Sequence, residues 1–373
     1  GMTLYCIYVS CFLVATQWVE VQRAVALTGA GIGGIGGGIL WTAQGSYFAL
    51  SAKDYARNLS QPVETANSYL AGVFAFIYLS SEVLMRLLST VLAVWLDWSA
   101  IFGIYTGIAV VSTLGMVFVR NYESSDSTSA AGNNNDDWRA IAYKITAAAQ
   151  LLWNDPKMKY MIGLNSAFGF AGAFLNSYVN GQVVELALND PEGKYVGILT
   201  AWLAVVAATL SLAFGKTDRK GVILVLGTAC FFGVAFPFLV HPDAASLGLP
   251  LLLFVYTLHG AGRATFESTL KATFADFFAY ETEGAFANII LQNGLSSAIG
   301  YVLSFRLLCS EESDYCVRYT DGSLHDVLTF ELLVCVTAIL AALGYWRAAV
   351  IQQSEPRRLM TAELIENDDI VSA

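Results

Sequence analysis

Apolar residues gather along this chain into runs of roughly twenty, separated by short polar punctuation, and strand-like alternation is absent from them. In helical geometry about twenty residues cover the roughly 30 Å of a bilayer's hydrocarbon core. Ten such runs can be read, at 2–16, 26–50, 69–95, 101–119, 160–179, 195–214, 222–240, 249–274, 285–305 and 327–351. Each is predicted to be a helix, because a backbone N–H or C=O in lipid has no water to bond. The longest polar interruption, 121–156, opens with a Ser/Asn/Asp-rich stretch and continues into 138–153. There Ile141, Ile145, Ala148 and Leu152 recur at helical spacing and predict an interfacial helix.

The predicted fold class is therefore all-α, a polytopic bundle of membrane helices. Its expected organisation is an N-terminal half-bundle over 1–120, a linker with an interfacial helix over 121–157, a C-terminal half-bundle over 158–351 and a tail over 352–373. Four runs precede the linker and six follow it, and the first begins almost at residue 1. A six-plus-six bundle lacking its first two helices and part of the third has this pattern.

Composition agrees with the pattern and narrows the chemistry. Hydrophobic residues make up 56% and charged residues 13% of the 373, too few charges to cover a water-exposed surface of this size. That excludes a soluble enzyme, and a net charge of −10 offers no basic patch for a nucleic acid. Lys and Arg divide thirteen to five between alternate sides of the runs, with Arg263 and Lys271 inside one, which predicts that the linker and tail are cytoplasmic. Cys6, Cys11, Cys230 and Cys335 fall in apolar runs, as packing thiols do. Cys309 and Cys316 share a loop on the opposite, oxidising side and are expected to form a disulfide, or to stay free thiols if their Cα atoms lie more than about 7 Å apart. The three histidines, His241, His259 and His325, are dispersed, so no metal or cofactor site is expected, and no nucleophile and base suggest an enzyme.

Polar residues inside the runs carry what chemistry there is. Arg263, Glu267 and Lys271 fall at i, i+4 and i+8, which predicts a ladder of opposite charges in contact on one helical face. An isolated charge at that depth costs about 2.5–3.5 kcal/mol on insertion scales, so the ladder should face a cavity or a partner. It reads equally as a gating site and as an ion pair clamping helices, and Lys271 alternatively as a side chain reaching for headgroups. Glu82 and Arg86 repeat the i, i+4 arrangement. Asn288, Gln292 and Ser296 share a face on the next run, as a cavity lining or, more plainly, as interhelical hydrogen bonds. Gly31-Ile-Gly33-Gly34-Ile-Gly36 matches a dinucleotide fingerprint in letters only, since no strand precedes it, and Gly29, Gly33 and Gly37 have the spacing of a close helix contact.

That glycine-rich run ends in Gly-Ile-Leu-Trp-Thr-Ala-Gln-Gly-Ser-Tyr (38–47), with Trp41, Gln44, Gly45 and Tyr47, which resembles the fourth-helix signature of the uncoordinated-93-like family, a branch of the major facilitator superfamily. Asn154-Asp-Pro-Lys-Met158 resembles that family's start of helix seven, Glu283-Gly-Ala-Phe-Ala-Asn288 its start of helix eleven, and Gly1 to Ser10 the middle of its third helix. Asp218, Arg219 and Gly221 sit in a stretch similar to the superfamily's short cytoplasmic loop, with the first glycine displaced to Gly215; a basic hairpin explains the same residues. The resemblance implies twelve helices in two pseudo-repeats, ten of them visible, around a central cavity. It implies an accessory protein that regulates or traffics an ion channel or receptor, or alternatively a solute or ion transporter working by alternating access. The partners implied are membrane lipid with a channel or receptor, or a small solute or ion, and no nucleic acid. The expected location is a plasma membrane or endomembrane.

Overall fold

The computed structural model describes residues 1–119, 146–190, 193–241, 246, 248–307, 316–318 and 324–371, without the side chains of 316–318, 324 and 356–371. Before the linker stand α1 (Met2–Gln17), α2 (Gln22–Leu59), α3 (Val63–Leu92) and α4 (Trp98–Gly115). Left-handed Ser60, with φ 52°, ends α2, and Pro62 precedes α3 where its missing N–H is not needed. After the linker, α5 covers 146–154. The Asp155 carboxylate accepts a 2.7 Å bond from Lys157 N, and with Pro156 at the first turn this starts α6. Helix α6 runs as Pro156–Phe174, widens into a π-helical stretch over Leu175–Val183 and closes as Val184–Leu188. Then follow α7 (Lys194–Phe214) and α8 (Lys220–Val240). Helix α9 joins Gly248–Ala264, a π-helical Thr265–Leu270 and Lys271–Phe277, and α10 (Thr282–Arg306) and α11 (Leu328–Val371) complete the bundle.

Every one of the ten apolar runs lies in a helix. Strand structure occurs among the described residues only in the loop between α10 and α11, where β1 (Cys316–Arg318) pairs antiparallel with β2 (Leu324–Asp326). Among the described residues six spans are long and apolar enough to cross a membrane: Val19–Leu59, Val63–Leu92, Trp98–Phe118, Lys194–Phe214, Lys220–Val240 and Leu328–Glu355. Helices α6, α9 and α10 instead carry a polar load, of which Asn165, Glu267, Lys271, Asn288 and Gln292 are buried. Their polar side chains turn inward because lipid offers them no partner.

One core runs through the helices after the linker. Phe174 meets Tyr178 at 5.2 Å, Phe330 at 5.3 Å and Phe238 at 5.7 Å between ring centroids, and all four rings are buried. The outside is apolar as well. Ile35, Ile77, Val111, Leu114, Leu291, Leu295, Leu340 and Leu343 are all exposed, the surface that membrane lipid covers. Cys230 and Cys335 are buried free thiols, and Cys6 and Cys11 are half-buried ones. The expected Cys309–Cys316 pairing lies outside the described residues.

Two close approaches join helices before the linker to helices after it. Helices α3 and α7 cross backbone to backbone, since a Cβ on Gly72 would lie 2.6 Å from Gly215 Cα and 2.8 Å from Ser211 O. Helices α2 and α10 cross where the Phe286 ring fills the space a Gly45 side chain would need. Helix α5 turns inward a different face from the one the spacing predicts: it buries Ala147 and Leu151, while Ala148 and Leu152 are half-buried. The cause is α10, because Gly284 brings that helix against the Ala147 carbonyl and Asn288 donates a 2.8 Å bond to Ala148 O. Ile141 and Ile145 lie outside the described residues.

Gly72→Ala is expected to destabilise the protein by about 1–3 kcal/mol, the usual cost of overpacking. Gly31→Ala, whose Cβ meets nothing within 4 Å, should not. Thermal unfolding in detergent checks both, and equal melting temperatures would refute the crossing.

Candidate functional site

Helix α3 places Tyr78, Glu82 and Arg86 at successive four-residue steps on one face. Glu82 is the hub. Arg263 of α9 grips it with both terminal nitrogens, Nη1 at 3.0 Å from Oε1 and Nη2 on Oε2. Arg86 reaches the same Oε1 with Nε at 3.0 Å and Nη2 at 2.8 Å, and sends Nη1 to Thr200 Oγ1 on α7 at 3.1 Å. Fork-on-carboxylate bonds of this kind are the strong ones. Two guanidinium groups share one carboxylate, so the cluster carries one surplus positive charge.

The expected charge ladder is not what forms. Among the described contacts none joins Arg263 to Glu267; Glu267 accepts from Lys271 Nζ at 2.7 Å, and both are buried. The Arg263 guanidinium points across to α3 and not down its own helix: Glu267 is held by Lys271, and Glu82 supplies the carboxylate instead. Lys271 does not reach headgroups either, and its Nζ lies 5.0 Å from the Trp41 ring centre and 5.4 Å from that of Phe74. Trp41 in turn meets Tyr78 edge-on at 5.3 Å. The signature residues thus divide: Trp41 covers the Lys271–Glu267 pair, Gly45 admits Phe286, Gln44 Oε1 is buried without a partner, and Tyr47 is exposed.

Asn288 and Gln292 are placed elsewhere. Asn165 Nδ2 donates to Gln292 Oε1 at 2.7 Å, Gln292 Nε2 to Asn288 Oδ1 at 3.1 Å, and Asn288 Nδ2 to Gly284 O at 2.9 Å as well as to α5. This chain of amides binds α5, α6 and α10 together and does not line the space beside Arg263. That space is a cavity of about 280 Å³ bounded by Glu82, Arg86, Thr200, His259, Arg263, Asn293, Ser297 and the π-helical start of α6 at Leu175 and Asn176. A second hollow of about 870 Å³ lies on the other face of the cluster, among Tyr8, Phe12, Tyr78, Phe102 and Tyr105. Glu82, Arg86 and Arg263 border both hollows, so the ion cluster is the wall between them.

A second cluster ties the same helices nearer the linker. Asn67 Nδ2 donates to Asp276 Oδ1 at 2.7 Å, Lys220 forms an ion pair with Asp276, and Lys220 Nζ also donates to Glu64 O at 2.8 Å. Of the loop residues singled out in the sequence, Arg219 caps α8, Asp218 O accepts a 2.9 Å bond from Lys220 N, and Gly221 lies against the Tyr345 hydroxyl. The residues missed were Asp276, which Lys220 and Asn67 both meet, and the role of Glu82 as partner of Arg263. The signal for the last was available: a carboxylate already matched to a cation at i+4 still leaves Arg263 in need of one, and Glu82 is a membrane-depth carboxylate on another helix.

Helices with apolar exteriors, inward polar side chains and buried ion pairs define the chain as a polytopic integral membrane protein. It is unc-93-like. The chain is 23% identical to Protein unc-93 homolog A of Mus musculus over 73% of its own length and 66% of the relative's. The corresponding protein of Bos taurus is 24% identical over 83% of this chain and 71% of the relative, and that of Danio rerio 23% identical over 78% and 68%. The chain therefore spans about two thirds of the length of the mouse relative it matches. No protein-family model matches it.

Arg263→Glu is expected to cost about 3–5 kcal/mol, the penalty for breaking a buried pair. Adding Glu82→Arg should recover most of the loss, whereas adding Glu267→Arg should not. Folded yield and melting temperature of the two double variants decide it, and equal recovery would refute the Glu82–Arg263 pairing.

Proposed function

We propose that the chain is an accessory membrane protein that regulates or traffics a channel or receptor, built as two half-bundles of major facilitator type over 1–120 and 158–351. The observation that supports this is how the charges at the cavity are used. Among the described residues, the carboxylates on α3 and α9 at membrane depth, Glu82 and Glu267, are both already held by cations. Neither is free to take up a proton or a cation in a transport cycle, and each holds packed elements together. The reading assigns no catalysis to the chain. The linker and tail are placed in the cytoplasm on the Lys and Arg asymmetry.

The polar cavity of about 280 Å³ favours a second reading, a solute or ion transporter. The two are separated by purified protein in liposomes together with depletion of the protein in cells. An accessory protein should give no saturable uptake from a panel of labelled solutes and ions, while its depletion lowers the surface level or current of a membrane partner found by proximity labelling. Saturable uptake that Arg263→Glu abolishes would overturn the accessory reading.

A further inference from the structure

We propose that the cavity between α3, α6, α7, α9 and α10 is a binding site for a small monovalent anion. The inference goes beyond the accessory role and does not depend on it. Three charged side chains border the cavity, Glu82, Arg86 and Arg263, and they sum to +1. The surplus cation is Arg86, whose side chain is 43% exposed, so the positive charge at the cavity is open to a mobile counter-ion.

The hydrogen-bonding groups point to the same ligand. Arg263 Nε is buried with no acceptor, although both terminal nitrogens of that guanidinium are bound to Glu82. His259, 4% exposed and one helical turn before Arg263, has no well-formed hydrogen bond at either ring nitrogen and is walled by the Phe168 and Phe231 rings, at 6.3 Å and 5.9 Å between centroids. A neutral imidazole always has one N–H to donate. Across the cavity stand the side chains of Thr200, Asn293 and Ser297. A guanidinium with one N–H lacking an acceptor and an imidazole with no well-formed bond thus border one small space whose charged side chains sum to positive. Buried polar groups are paired as a rule, and Arg263 Nε is not. An anion supplies an acceptor and the missing negative charge together.

The chemistry that fits is a single negative charge on a halide or on a small carboxylate. Direct binding of radiolabelled chloride and of radiolabelled acetate to the full-length protein in nanodiscs tests it, with ionic strength held by the bulky dianion PIPES. Saturable binding of chloride alone assigns a halide site, of acetate alone a carboxylate site, and mutual competition a site that takes either. Arg86→Gln leaves Glu82 and Arg263 as a neutral pair and should weaken binding at least tenfold without separating α3 from α9. Asn293→Asp places the compensating charge in the cavity itself and should abolish binding, and it decides the matter if Arg86→Gln does not fold. No saturable binding of either anion to the wild-type protein, or unchanged binding in whichever variant folds, would overturn the proposal.

Discussion

A guanidinium inside a membrane bundle must find its counter-charge within reach, and the rest of this structure is arranged around how Arg263 does so. Its carboxylate comes from α3, a helix on the other side of the linker. That one pairing fixes the separation of α3 and α9, their rotation about their own axes and their register along the bundle. The other features follow from it. Helix α3 can lie close enough only because Gly72 and Gly215 let it cross α7 without side chains between the backbones. Arg263 turns to α3 while the next carboxylate on its own helix, Glu267, is held by Lys271. Arg86 then completes the contact by bridging the same carboxylate to Thr200 on α7.

Polarity in the rest of the bundle is sorted by the same rule at lower cost. Amides and hydroxyls of α6 and α10 pair with one another, as in the Asn165–Gln292–Asn288 chain, and need no charge from elsewhere. Lys157 at the start of α6 is 3% exposed and is met by Gln352 Oε1 at 2.9 Å and a Glu355 carboxylate at 2.8 Å on α11. This pins the cytoplasm-proposed ends of the helices after the linker to each other. Among the described ion pairs Glu82–Arg263 alone crosses from one side of the linker to the other; at Asp276 the crossing is made by hydrogen bonds, from Asn67 to Asp276 and from Lys220 to the Glu64 carbonyl.

How much of this was legible depended on whether the signal was local. Each apolar run became a helix, because twenty apolar residues in lipid have one way to satisfy their backbone, and the Asp155-Pro156 start of α6 is written in the residues themselves. Helix ends beyond the runs, such as α2 reaching Leu59, follow from polar residues that continue helical hydrogen bonding into the interface and carry no hydropathy signal. The site was half legible. Arg263, Glu267 and Lys271 stand out by cost alone, but their pairing was read from spacing along one helix, which holds for Glu267–Lys271 and does not encode that Arg263 takes its carboxylate from another helix. Asn288 and Gln292 were noticed for the same reason, yet one position further round α10 it is Asn293 that reaches the cavity, a distinction periodicity does not make.

The pairing also bears on which function the bundle can serve. A carrier that works by alternating access separates its two halves on one side and then the other, and each cycle would pull Arg263 from Glu82. Both groups are largely buried, with side chains 15% and 19% exposed, so each opening would break a buried pair. The nearest substitute on the same helix, Glu267, is held by Lys271 under the Trp41 ring and is not available without breaking a second buried pair. Opening therefore costs the pairing of a buried carboxylate and guanidinium, a penalty that a bundle used as a rigid escort or regulatory subunit never meets. A membrane protein whose function is to present a fixed surface to another gains from such a lock, and this is why the geometry leans toward the accessory reading even though a polar cavity lies beside the lock.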